Sequence, residues 1–160
     1  MITVSDGVAA GAREDLSGAV LDQALTETGF EVSRITVPDE RSIISEAISG
    51  AAKASDLVVT TGGTGFGPRD VTPEATGDVL EREAPGLAQL MVSKGLESTP
   101  MAALSRSKAG TVGAALVINL PGSPAGAIES LAAVMDLLPH ALALLAGHTG
   151  HHGGEAPGQG

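Results

Sequence analysis

Apolar positions along this chain switch repeatedly between strand-like runs and helix-like stripes. "MITVS" at the start is a short strand-like run, and "DGVAAGA" after it has the composition of a loop. From Asp15 the period becomes helical, with Leu16, Ala19, Val20 and Ala24 predicted to share one face and Gly29 placed to end the helix in a left-handed cap. "FEVSRITV" (30–37) alternates like a strand as far as Pro38, and Ile43, Ile44, Ala47, Ile48 and Ala51 mark a second amphipathic helix. "DLVVTT" (56–61) and "ALVINL" (115–120) are unbroken apolar runs, the pattern of strands covered on both faces. "PGLAQLMVSKGLE" (85–97) predicts a helix between them. Ile128, Leu131, Ala132, Met135 and Leu138 predict a last helical stripe, which Pro139 should kink or split.

Each of the two buried runs ends in a glycine turn. After the first comes "GGTGFGPRDVTPEAT", where Thr72 and Pro73 read as a hydroxyl N-cap and a proline at the first helical position; after the second comes "PGSPAGAIESL", where Ser123 and Pro124 repeat the device. Strands alternating with helices predict an α/β fold with a mainly parallel sheet. In such sheets ligands bind beyond the carboxyl ends of the strands, so the two turns are expected to build one site.

Composition narrows what that site holds. The 160 residues suit one domain, and a formal charge of −10, no Trp, no Tyr and two Phe argue against nucleic-acid binding, which needs phosphate neutralisation and aromatic stacking. With no Cys there is no thiolate chemistry and no zinc-thiolate site. No apolar run approaches a membrane span and no leader pattern opens the chain, so a soluble, cytoplasmic domain is expected, without membrane partners. "HTGHHGGEAPGQG" has no periodicity; 1–147 is expected to be the domain and 148–160 a disordered His/Gly-rich tail.

A turn without side chains lets a ligand meet backbone amides, and a following helix start adds partial positive charge, so phosphate is the expected guest. The motif GxxxxGK[ST] is missing, and GxGxxG fails because residue 68 is Pro. A tight structural turn therefore stands beside an anion site as an explanation. Asp39, after Pro38, and Asp70, after the glycine turn, offer hard oxygen ligands from two strand ends, which suits Mg²⁺ beside a polyphosphate. The plainer roles are a turn at Asp39-Glu40 and a helix cap by Asp70. Arg69 and Arg106 are candidate phosphate partners. His140 reads as a helix-end residue, and His148, His151 and His152 as part of a solvated tail.

"TTGGTGFGPRDVTPEAT", "VPDE" (37–40), "LSRS" (104–107) and "INLPGSPAGAIESL" (118–131) together resemble the MogA/MoaB molybdenum-cofactor family, which includes molybdopterin adenylyltransferases and the G domain of gephyrin-like proteins. "VSD" near the start and "EDLSG" (14–18) fit as well. The resemblance implies a three-layer α/β/α sandwich, commonly a homotrimer, and Mg²⁺- and ATP-dependent transfer of AMP to the terminal phosphate of molybdopterin. It makes Asp39 and Asp70 the catalytic, metal-linked pair and adds Ser105 to the catalytic set. It gives contacts with the pterin phosphate and nucleotide to Gly62, Gly63, Thr64 and Gly65, and to Pro121, Gly122 and Ser123, with Arg69 as the candidate phosphate partner already named. Hand-over of product to a molybdenum-insertion protein is a further implication. A non-catalytic molybdopterin-binding scaffold is the nearest alternative function. A hydrolase of the competence-damage type is a third, and "GGTGFGPRDVT" fits it less well.

Overall fold

The computed structural model describes residues 1–149. In chain order these form β1 (Ile2–Val4), α1 (Asp6–Ala9), α2 (Leu16–Glu27), β2 (Ile35–Val37), α3 (Arg41–Ala54), β3 (Leu57–Thr61) and α4 (Thr72–Gly77). They continue with β4 (Arg82–Glu83), α5 (Pro85–Leu96), a 3-10 turn (Pro100–Leu104), β5 (Ala109–Val112), β6 (Ala115–Leu120), α6 (Pro124–Met135) and α7 (Leu138–Leu145). The expected tail falls outside the described residues from 150 onward.

One six-stranded sheet runs in the order β2-β1-β3-β6-β5-β4, parallel across β2, β1, β3 and β6, with β5 and β4 added antiparallel. Helices cover both faces. Side chains alternate along the central strands, so Val59, Leu116, Ile118 and Leu120 meet Leu21, Leu25, Met91, Leu131 and Val134 on one face. Val58 and Val117 meet Ile44, Ile48 and Ala75 on the other. The result is the three-layer α/β/α sandwich. Burying each of these Leu, Ile or Val side chains contributes roughly 1.5–3 kcal/mol.

Several expectations need correcting. "DGVAAGA" is not all loop: the Ser5 hydroxyl accepts from the Val8 N–H at 3.3 Å and starts the single turn α1. Only the last three residues of "FEVSRITV" form a strand, because β1 offers just Ile2, Thr3 and Val4 for pairing. Helix α2 buries Ser17, Gly18, Leu21 and Leu25, leaving Leu16 56% exposed. Its rotation is set by Asp15, whose carboxylate caps the Gly18 N–H at 2.9 Å and also takes the Thr3 hydroxyl at 2.8 Å. In α6 the buried face is Ala127, Ser130, Leu131 and Val134; Ala132 faces solvent and Ile128 and Met135 lie at the margin. Pro139 does sit at a break, where α6 and α7 meet at 64°.

Candidate active site

β1 hands the chain to β2 on one side, whereas β3 neighbours β1 on the other, so the order of connection reverses between β1 and β3. Side chains beyond the carboxyl ends of those two strands line a cavity of about 520 Å³ that includes Thr3, Ser5, Asp15, Asp39, Gly62, Gly63, Asp70, Gly122 and Ser123. This is where open α/β sheets bind ligands. A cavity of about 590 Å³ at the opposite ends of the strands is lined by Met1, Phe30, Glu31, Ser33, Asp56 and Leu57, and neither the glycine turns nor the two candidate aspartates reach it.

The first glycine turn is held in place from beneath. The Gly62 N–H donates to the Leu120 carbonyl at 3.1 Å, which carries the β3–β6 ladder one residue further. Gly62 then takes φ +103° and Gly63 φ +66°, the left-handed region that glycine occupies without a Cβ penalty. A Cβ on Gly62 would lie 2.3 Å from the Val4 carbonyl oxygen, and one on Gly63 would lie 2.5 Å from the Thr72 hydroxyl. That hydroxyl does not cap α4, as expected of it; it is buried and donates to the Gly62 carbonyl at 2.8 Å. Val71 is the residue before the helix, and makes no side-chain cap.

A buried polar chain supports the staple. The Asn119 amide donates to the Thr60 and Thr76 hydroxyls at 3.0 and 2.9 Å, and the Thr76 hydroxyl donates to the Thr72 carbonyl at 2.8 Å. Asn119 also accepts the Lys108 N–H at 3.0 Å, so each buried group is partnered at low dielectric cost. The second turn is simpler. Thr61 donates to the Pro121 carbonyl at 2.7 Å, and the Ser123 side chain caps the Gly126 N–H at 3.2 Å, as the Ser-Pro pair predicts. Gly122 passes so close to the first turn that a Cβ there would lie 3.2 Å from the Gly62 Cα.

The two aspartates lean over the first turn. A Cβ on Gly63 would come within 3.2 Å of Asp39 Oδ1, and one on Gly65 within 3.0 Å of Asp70 Oδ2. Asp70 Oδ2 accepts the Gly67 N–H at 2.8 Å, a bond within its own loop and not a helix cap. Asp39 Oδ2 accepts the Asp6 N–H at 2.8 Å. Among the described residues no donor meets Oδ1 of either aspartate, so each presents one unclaimed oxygen. Burial pushes the Asp39 carboxyl above the ordinary aspartate value; the Asp6 N–H opposes this, and repulsion from Asp6 and Asp70 adds to it.

Both candidate arginines are engaged elsewhere. Arg69 makes a forked pair with Asp6, at 3.0 Å through Nε and 3.0 Å through Nη2. Arg106 clamps the loop: Nε donates to the Gly65 carbonyl and Nη2 to the Asp70 carbonyl, each at 2.8 Å, and Nη1 pairs with Glu74. Its guanidinium lies 5.7 Å from the centre of the Phe66 ring. Arg106 is therefore a brace for the glycine turn. Ser105 bonds its neighbour Ser107 at 3.0 Å and does not line the cavity; Thr64 is buried, and its carbonyl accepts the Arg106 N–H. The N–H groups of Gly63, Thr64 and Gly65 meet no protein acceptor among the described residues. Of the three, Gly63 lines the cavity and leaves its N–H for an anion there.

Two groups were missed as site residues, although the fragments "VSD" and "EDLSG" contain them. Asp6 is held below the ordinary aspartate range first by the Asp39 N–H and then by Arg69. Asp15 lies on the cavity wall; burial opposes its ionisation, but the bonds from Thr3, Arg34 and the Gly18 N–H outweigh that and lower its pKa.

An α/β domain with two carboxylates over a glycine-rich turn at a sheet's switch point has the features of a site for a phosphorylated ligand. The chain belongs to the molybdenum-cofactor family described as "Probable molybdopterin binding domain", whose model matches residues 1–140. It is 39% identical to the molybdopterin adenylyltransferase of Helicobacter pylori strain J99, with 92% of this chain and 87% of that protein covered. It is 40% identical to the molybdenum cofactor synthesis protein cinnamon of Drosophila melanogaster over 91% of this chain, and spans only 25% of that protein's length. Its fold superposes on the molybdopterin biosynthesis enzyme MoaB of Thermus thermophilus with a TM-score of 0.84 at 50% identity, covering 91% of this chain and 94% of that one. No single helix is long and apolar enough to cross a membrane among the described residues.

Proposed function

We propose that residues 1–147 form a molybdopterin adenylyltransferase. The observation that carries this is the meeting of Asp39, Asp70 and the Gly62-Gly63 turn on one cavity, with Asp39 Oδ1 unclaimed beside Gly63. Similarity to the H. pylori adenylyltransferase along 87% of that protein supports it. An oxygen of the pterin's terminal phosphate attacks the α-phosphorus of ATP. The bond from that phosphorus to the bridging oxygen breaks, and pyrophosphate leaves with the electron pair. The attacking phosphate is already ionised at neutral pH, so the protein needs no nucleophile of its own, and its task is positioning and charge stabilisation.

The donor set fits Mg²⁺. Among the described residues no three His, Cys, Asp or Glu side chains cluster as a closed cation site. Two carboxylate oxygens remain, and Mg²⁺ is commonly held in that way, by one or two carboxylates plus phosphate oxygens and water. Asp39 and Asp70 would hold it, and it would offset charge on the leaving pyrophosphate. The amides of the first glycine turn orient the pterin phosphate, and Gly122 and Ser123 at the start of α6 face the same cavity. A cytoplasmic homotrimer belongs to the same proposal; the exposed Leu90, Leu96, Met101 and Leu104 along α5 and the 3-10 turn support association between copies.

The test is transfer of labelled AMP from ATP to purified molybdopterin with Mg²⁺. The proposal expects turnover in the wild type and a loss of about 10²–10³-fold or more in Asp39→Ala and in Asp70→Ala, with pterin binding kept. A wild type that binds the pterin and transfers nothing would be a carrier or scaffold.

A further inference from the structure

Asp6 has no part in the transfer step just described, yet it is bonded to the residue at the centre of it. β1 and β2 pair in register, Val4 with Val37, and the Ser5 N–H extends the ladder to the Val37 carbonyl at 3.0 Å. Beyond that point the backbones stop pairing and the side chains take over. The Asp39 N–H donates to Asp6 Oδ1 at 2.9 Å, and the Asp6 N–H donates to Asp39 Oδ2 at 2.8 Å. This reciprocal exchange spans 33 positions of sequence and fixes both the backbone and the carboxylate of Asp39.

We infer, on the basis of the proposed transfer reaction, that Asp6 is the positioning residue for Asp39, with Arg69 as its anchor. With Oδ2 tied to the Asp6 backbone N–H, Asp39 has one oxygen left, Oδ1, close against Gly63, where a Cβ would lie 3.2 Å from it. Arg69 grips both oxygens of Asp6 and compensates its charge beside a second carboxylate. The side chains of that ion pair are 60% and 46% exposed, so it adds little to stability; its effect is to hold the exchange in one geometry. Small misplacements of a catalytic group cost far more than the bond that prevents them, with about 1 Å capable of costing roughly 10²-fold in rate.

The experiment compares the full chain with Asp6→Ala, Asp6→Asn and Arg69→Met. Its readouts are kcat, the KM values for ATP and molybdopterin, and the backbone amide resonance of Asp39 in a nitrogen–proton spectrum. Asp6→Ala is expected to lower kcat by about 10²-fold while both KM values hold, and to shift the Asp39 amide resonance. Asp6→Asn keeps an oxygen acceptor for the Asp39 N–H, so most of kcat and the wild-type resonance should return. Arg69→Met removes the anchor and leaves the acceptor, so it should shift that resonance and lower kcat, each less than Asp6→Ala does. Unchanged kcat in a folded Asp6→Ala, a rise in KM alone, or a loss in Asp6→Asn as deep as in Asp6→Ala would overturn the assignment. If Asp6→Ala does not fold, Asp6→Asn and Arg69→Met decide by the same criteria. A wild type without AMP transfer would overturn the proposed function instead, and the Asp39 resonance would still decide the role of Asp6: moved by alanine and kept by asparagine supports it, unmoved by alanine removes it.

Discussion

The two glycine turns look alike in sequence and work differently. The turn after β3 is shaped by its backbone: two glycines with positive φ, a buried threonine donating to the Gly62 carbonyl, and an arginine donating to the Gly65 and Asp70 carbonyls. The turn after β6 contains no residue with positive φ, and is set by a serine cap with a proline behind it. The first turn needs a unique backbone path because the aspartates are aimed against it. The second needs only to start a helix and to pass close to the first. Rigidity is concentrated on one side of the cavity.

Substitutions should separate the turns in order of effect. Gly62→Ala combines positive φ with a contact of 2.3 Å to the Val4 carbonyl, and is expected to cost about 3 kcal/mol, read as a large fall in thermal midpoint, and to abolish transfer. Thr72→Val removes the donor to the buried Gly62 carbonyl, and should cost about 1–3 kcal/mol in denaturant unfolding together with a clear loss of turnover. Gly122→Ala meets the Gly62 Cα at 3.2 Å, and a shift of a few tenths of an ångström should relieve it at roughly 1 kcal/mol. Ser123→Ala loses one cap, at most about 1 kcal/mol, with turnover nearly kept. If Ser123→Ala proved as damaging as Gly62→Ala, the contrast between the turns would be lost.

Local signals carried much of the fold. The runs at 56–61 and 115–120, the Ser123-Pro124 start, the stripe of α3 and the break at Pro139 were all legible, because each is decided by residues within one or two turns of itself. The buried face of α2 was not, since apolar residues occur on more than one of its sides and Asp15 fixes the rotation through Thr3 and Arg34, outside the helix. The glycine turn and the two aspartates stood out through composition and strand-end position. The arginines could be named but not assigned. Arg69 finds its partner 63 positions away, and Arg106 braces a loop about 40 positions before it. Asp6 was hidden for the same reason: its bond partners come from the ends of two other strands, and "VSDG" by itself reads as a turn.

Both outer strands of the sheet are short. β2 contributes three residues on one edge, and β4 two on the other, Arg82 and Glu83, both charged and exposed. A second molecule seeking to extend the sheet finds too little unpaired backbone to template, and at one end it must accommodate charges of both signs. Association between copies is thereby steered away from strand addition and toward side-chain surfaces, which form and separate without remodelling the sheet.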